Sequence, residues 1–431
     1  MNKLRSIFGF IQGNTLVLIV ADILSRFGVY GLVWPYFSLY VMALGGSPII
    51  VGFVYSVGVL AGFPTFPIGG YISDHSGRVK LVGIMTYLES FIFVFFIFAN
   101  NWIIMIIGLF LWQMIAIHYP VLQAIMADSL PPGKRGIGFA TAMALPSITG
   151  FIAPYISGYL IDIYGGGFTG VRVAMPICWT ISLIIGLVVA TIRIRLLTET
   201  LEKAESRISL KNIPFLLKAS YKSVLDSIKW MPNSLRAIAI VSIVITFFVS
   251  IAGPFWIIYA TSILGLKASS WGVLILVLGQ VQIGLSIPMG HLVDRYGARR
   301  LIILALFLSI FPTFFFIFCR TFIEIILTLL TLTCANAILW PAFSTVKANL
   351  IPRERRGRLL SILGHGGGAI SWSGTWATGV ILFIPMSVGM LIVGYIYESN
   401  PKYPWIILTV AIILCLILTI QFIHEPEKPE I

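Results

Sequence analysis

The chain has 431 residues, 58% hydrophobic and only 10% charged, with a net charge of +13. A water-soluble domain carries about 25% charged residues, so lipid is the solvent for most of this chain. Nor does the positive charge point to nucleic acid, because it is scattered through short loops with no basic stripe interleaved with aromatics.

Residues 1–13 hold Lys3 and Arg5 but no small-residue cleavage site, and the apolar run that follows is itself long enough to span. No removable leader is expected. Twelve apolar stretches then read as membrane helices: 14–43, 48–72, 79–99, 102–127, 137–163, 171–193, 237–264, 269–293, 300–319, 321–347, 358–397 and 404–423. Pro35 in the first, Pro146 and Pro154 in the fifth and Pro254 in the seventh each remove a backbone hydrogen bond and predict bends. With the N-terminus inside, 24 Lys and Arg fall on inner segments and 4 on outer ones, which predicts both termini in the cytoplasm and a cell-membrane location. The long polar stretch 194–236 divides the chain into halves 1–193 and 237–431. Its second part reads as an amphipathic helix with Lys218, Lys222 and Lys229 toward lipid head groups. Cys178, Cys319, Cys334 and Cys415 are scattered in apolar runs and read as packing residues, with no metal site.

The chain repeats itself. Gly70-Tyr71-Ile72-Ser73-Asp74-His75-Ser76-Gly77-Arg78 returns 220 positions later as Gly290-His291-Leu292-Val293-Asp294-Arg295-Tyr296-Gly297-Ala298-Arg299-Arg300. Pro35 and Tyr40 match Pro254 and Tyr259 at offset 219, and Pro120, Pro131, Arg135 and Gly136 match Pro341, Pro352, Arg356 and Gly357 at 221. Near-constant offsets mean that a six-helix unit has been duplicated. Two parallel six-helix halves can enclose a cavity and rock about it, which is the mechanics of alternating access.

These duplicated motifs resemble the major facilitator superfamily of secondary transporters over essentially the whole chain. The resemblance implies an all-α membrane protein, twelve helices in two pseudo-repeats around a central cavity, working as a monomer without cofactors. It also implies a cytoplasmic latch in which Arg78 bridges to Asp128, with Gly70, Asp74, Gly77, Gly290, Asp294, Arg295, Gly297, Arg299 and Arg300 in the two signature loops. Asp74 and Asp294 can face helix N-termini across the halves. His75 replaces the usual Arg, and Asn349 stands where the second half would carry its counterpart of Asp128, so the second latch is expected to be weaker.

Charges at bilayer depth cost about 2.5–3.5 kcal/mol each even on lenient scales and need a reason. Four stand out in the first half: Asp22, Arg26, Glu89 and His118. Carboxylic acids and imidazoles that exchange protons as access alternates make Asp22, Glu89 and His118 candidates for proton coupling. The structural alternative is that Asp22 neutralises Arg26 at i and i+4, while Glu89 packs on His118. Arg26 is also a candidate for contacting an anionic substrate. Trp34, Tyr36, Tyr119, Trp256 and Trp340 flank the matched prolines, and Gln280 and Asn336 add neutral polar groups. With Arg26 they are the expected cavity wall, suited to an amphipathic small molecule. The alternative is the aromatic belt common at membrane interfaces.

The fifth span carries Gly150-Phe151-Ile152-Ala153-Pro154-Tyr155-Ile156-Ser157-Gly158, similar to the superfamily's exporter motif with two glycines replaced. The eleventh span exceeds its counterpart by 15 residues and includes Gly364-His365-Gly366-Gly367-Gly368, which disfavours a continuous helix. No nucleophile elbow, paired-histidine motif or phosphate loop argues for an enzyme. The expected function is proton-coupled export of an amphipathic small molecule. The alternatives are a proton-coupled importer of a sugar or organic acid and a transporter-like sensor or lipid-handling protein.

Overall fold

A computed structural model describes residues 11–65, 77–131, 135–200, 222, 225–351, 359, 362–364 and 379–423. Gly70, Asp74, His75, Lys218 and residues 365–368 of the glycine run lie outside them. The described residues are helical with no strand. The membrane helices are α1 (Gly13–Ala43), α2 (Pro48–Gly62), α3 (Arg78–Ile97), α4 (Trp102–Ser129), α5 (Arg135–Ile163), α6 (Gly167–Leu196), α7 (Ser234–Ser262), α8 (Ala268–Tyr296), α9 (Ala298–Phe318), α10 (Phe322–Leu350), α11 (Val380–Ser399) and α12 (Tyr403–Phe422). Eleven helices are long and apolar enough to cross a membrane among the described residues, and α2 is described over a shorter apolar stretch. The face at which α1 begins is called proximal below, and the opposite face distal.

The duplicated prolines act as expected. Pro35 has no N–H to return to the preceding turn, and α1 passes it through a 3-10 turn at Trp34–Tyr36. Pro254 does the same within a 3-10 turn at Gly253–Phe255. Five residues beyond each proline the repeat makes the same bond: the Tyr40 hydroxyl donates to the Phe96 carbonyl at 2.9 Å, and Tyr259 to Ile317 at 3.1 Å. The matched pair Pro120 and Pro341 behaves differently, since α4 breaks at 116–117 while α10 runs through unbroken.

The halves meet distally. On one seam α5 lies against α8, where a Cβ on Gly272 would come within 2.5 Å of the Pro154 carbonyl oxygen. On the other, α2 lies against α11: a Cβ on Gly394 would come within 2.4 Å of Ile49 Cα, and the Ser56 and Ser387 hydroxyls are 2.9 Å apart. In lipid, helix association depends on close van der Waals approach, which small residues permit. Tyr36 adds a polar tie, its hydroxyl 2.8 Å from the carbonyls of both Pro154 and Ala268. The Asp162 carboxylate completes the closure by accepting the N–H groups of Ala268 and Ser269 at 3.2 and 3.0 Å. These are orphan donors at the positive end of the 29-residue α8. Proximal of this closure α8 exposes Gln280, Ser286 and Ile287, and a Cβ on Gly284 or Gly290 would meet nothing within 4 Å, so α8 parts from α5 toward the proximal face.

Around the glycine run, Gly364 adopts a left-handed φ of +78°. A Cβ on Gly379 would come within 2.4 Å of the Gly364 nitrogen. Gly364 and Gly379 therefore lie against each other. Lys347, counted from the sequence among proximal loop charges, is fully buried here, its ammonium donating to the carbonyls of Leu363 and Gly364 at 3.2 and 3.1 Å. Those carbonyls belong to a helical turn that stops, and a cation satisfies them.

Candidate functional site

The polar centre of the membrane region lies in the first half, where α1, α3, α4 and α6 converge. Glu89 on α3 is buried at 5% exposure. Its Oε1 accepts two hydrogen bonds at 2.9 Å, from Trp112 Nε1 and from the Tyr119 hydroxyl of α4. Trp112 can only donate, and Tyr119 spends its proton on Glu89. The very short contact between the Tyr30 and Tyr119 hydroxyls is therefore a bond donated by Tyr30. The result is a directional relay from half-buried Tyr30 on α1 through Tyr119 to Glu89.

His118 lies on the other side of Glu89, with Nε2 at 3.4 Å from Oε2 and no exposed surface. The break in α4 sets its orientation. Tyr119 N–H bonds to the Ala116 carbonyl at 3.2 Å instead of reaching back to Ile115. His118 Nδ1 satisfies the Ile115 carbonyl at 3.0 Å. A carbonyl only accepts, so Nδ1 carries a hydrogen. Nε2 therefore faces the Glu89 carboxyl, setting a buried imidazole against a buried acid.

Asp22 and Arg26 do not neutralise each other. Asp22 Oδ1 instead takes Arg193 Nη2 of α6 at 3.1 Å, and Arg193 Nη1 donates to Thr86 of α3 at 3.1 Å. Arg193 is 4% exposed, whereas the Asp22 side chain is 39% exposed. A guanidinium reaches two helices because its planar fork has five donors. Arg193 is thus a site residue that hydropathy reading assigned to the linker edge. A second signal was its place in α6, which extends to Leu196. Arg26 sits one turn along, exposed, in a π-helical stretch at Ser25–Gly31. There Ser182 of α6 donates to the Gly28 carbonyl at 2.6 Å. Wide turns of this kind recur at functional sites.

The expected wall divides. Arg26, Gln280 and Trp340 are exposed, and Trp34 and Tyr119 are partly so. Tyr36, Trp256 and Asn336 are buried and do not line the open space. Tyr36 is consumed by the distal closure, and Trp256 packs on Phe316 and Trp405 with ring centroids at 4.5 and 5.5 Å. Aromatics beside a proline serve a packed core as readily as a wall.

At the proximal face Arg78 meets Asp128 at 2.5 Å, the pair the resemblance implied. The structure adds partners from the chain just after α6. Arg78 donates to Thr200 at 2.9 Å, and the Glu199 carboxylate caps the Val79 N–H beside Gly77, the N-cap of α3. In the second half, Gly290 faces open space and Gly297 turns the chain at a φ of +87°. Asp294, Arg295 and Arg300 are exposed, and Arg299 donates to the Ile420 carbonyl at 2.7 Å. No ion pair forms there among the described residues.

The sequence matches the family model described as Major Facilitator Superfamily over residues 18–231 and 238–430. No curated protein sequence matches the chain. Among solved structures, it is similar to a mutant of the nucleoside transporter NupG with a TM-score of 0.71 at 12% identity, covering 95% of this chain and 100% of that one. The inward-open xylose transporter XylE from E. coli aligns with a TM-score of 0.67 at 15% identity, covering 98% and 97%. The human organic anion transporter MFSD10 (TETRAN) aligns at 0.63 and 14%, covering 94% and 98%. At such identities the likeness extends to the fold alone.

Proposed function

The chain belongs to the major facilitator superfamily of secondary transporters, and on that footing we propose that it couples export of an amphipathic small molecule to proton entry, with Glu89 and His118 as the coupling pair. The carrying observation is the buried carboxylate facing an imidazole at 3.4 Å, connected outward by two tyrosine hydroxyls. A buried acid held beside an imidazole has a proton acceptor and a proton donor within reach on one site. The Tyr119–Tyr30 relay connects Glu89 to half-buried Tyr30 on α1. Asp22, a coupling candidate from sequence, is better suited to holding Arg193.

The distribution of positive charge supports a cytoplasmic proximal face in the cell membrane, so the conformation here is the one open to the cytoplasm. The sparsity of charge among Trp34, Tyr119, Gln280 and Trp340 supports an amphipathic solute. Arg78, Asp128 and Glu199 tie the proximal ends of α3, α4 and α6 together within the first half, and Asp74 and Asp294 of the signature loops would supply the contacts between halves when the cavity turns outward.

Reconstitution in proteoliposomes with an imposed pH gradient tests the reading. Glu89→Gln is expected to lower gradient-driven flux at least about a hundredfold while solute exchange without a gradient persists. Asp22→Asn is expected to retain the drive. Intact gradient-driven flux in Glu89→Gln refutes the coupling assignment, and accumulation on the cytoplasmic side refutes export.

A further inference from the structure

We propose that Arg26 is the anion-binding residue of the space between the halves, and that the transported solute is an amphipathic monoanion: a carboxylate, sulfonate or phosphate diester on an apolar or aromatic body. This rests on the transporter reading above and adds a charge to its substrate.

The first argument is charge balance. The other ionisable groups at this depth in the first half occur in pairs, Asp22 with Arg193 and Glu89 with His118. Arg26 is left over. Among the described residues its guanidinium makes no hydrogen bond or ion pair, and its nearest acid along the helix, Asp22, is held by Arg193. A cation at this depth is costly unless it pairs or faces water.

The second argument is direction. Helix α6 lies behind α1, with Ile185 within 2.5 Å of where a Cβ on Gly28 would sit. Helix α5 flanks it, where Thr149 donates to the Ile23 carbonyl at 3.2 Å. Helix α4 flanks it on another side through Tyr119. The face left over lies away from α6, and α1 meets the second half distally where Tyr36 reaches Ala268 of α8. Gly28, which faces α6, lies two residues from Arg26, roughly half a turn away. Arg26 therefore points away from the helix that backs α1.

The third argument is construction. A Cβ on Gly150 would sit 3.3 Å from Arg26 Cβ, so the glycine leaves the arginine stem its room. In the second half, Gln280 on α8 and Trp340 on α10 are neutral and exposed. One free guanidinium among neutral polar and aromatic groups matches one negative charge on a largely apolar body. The guanidinium fork holds carboxylate, sulfonate and phosphate oxygens alike.

The test uses the full-length chain and three naphthalene dyes of equal size: a sulfonate, its neutral sulfonamide and a trimethylammonium. Equilibrium binding should favour the sulfonate over the sulfonamide by about tenfold or more, the range of a charge-assisted hydrogen bond. Arg26→Gln should bring the ratio within about threefold, and Arg26→Lys should retain part of it. A wild-type ratio below about threefold, or a tenfold preference surviving in Arg26→Gln, overturns the proposal. Glu89→Gln should keep the anion preference while losing the pH drive, so each assignment can fail without the other. Submicellar lysophosphatidylglycerol that displaces the sulfonate from wild type marks the natural anion as lipid-derived. Absence of displacement marks it as a soluble organic anion.

Discussion

The two halves share a frame and differ in chemistry. Pro35 and Pro254 sit in matching 3-10 turns, and Tyr40 and Tyr259 tie matching helices. Yet the ion pairs formed among the described residues all lie in the first half: Arg78 with Asp128, His118 with Glu89, and Arg193 with Asp22. The second half places Leu339 where the first has His118, and it is buried without exposure. Backbone geometry that both copies need for rocking has been kept twice. Among the described residues the paired charges occur once, and each carries a desolvation cost that a second copy would double.

If that division is right, cutting the first-half network should cost far more than a matched cut in the second. Arg193→Met strips the guanidinium from Asp22 and Thr86. Because the Asp22 side chain is 39% exposed, water recovers part of the loss, leaving an expected destabilisation of about 2–3 kcal/mol in denaturant unfolding. Thr333→Val in α10 removes a hydroxyl that merely bonds back to the Leu329 carbonyl at 2.8 Å, and should cost under about 1 kcal/mol. Equal losses would break the comparison.

A smaller effect is expected where the halves touch. Asp162→Asn keeps the side-chain shape but removes the charge at the α8 N-terminus, worth about 1 kcal/mol. Distal accessibility, read by labelling a cysteine introduced at Ser269, should rise about fivefold. An unchanged labelling rate would mean that glycine-mediated packing alone closes the distal side.

The smallest change is an addition. Asn349→Asp gives the second half the acid it lacks opposite the first half's Asp128. A solvent-exposed pair gains at most about 1 kcal/mol and weakens with salt. A modest rise in melting temperature at low salt that fades at high salt is the expected result. No rise at low salt would show that something other than residue 349 separates the two latches.

Much of this was legible in the sequence for identifiable reasons. Span positions follow from composition, and the repeat from constant offsets. Arg78 with Asp128 follows from family resemblance, and Glu89 with His118 from the rarity of buried charge. Three features were not legible. The Asp22–Arg193 pair joins residues 171 apart, with no period to connect them. Arg193 and Lys347 read as loop charges because hydropathy places a cation at a span's end in the head-group region, although tertiary packing buries both. The π-stretch around Arg26 has no sequence signature, since it depends on Gly28 approaching α6.

The abutting glycines of α11 have a practical consequence. Two positions that touch can carry chain between them at a closure entropy that rises only slowly with its length. Residues 365–378 therefore mark a port. Joining Gly364 directly to Gly379 should leave the register of α11 unchanged. A reporter domain or affinity tag grafted between them would report on the second half without displacing any helix that the rocking requires.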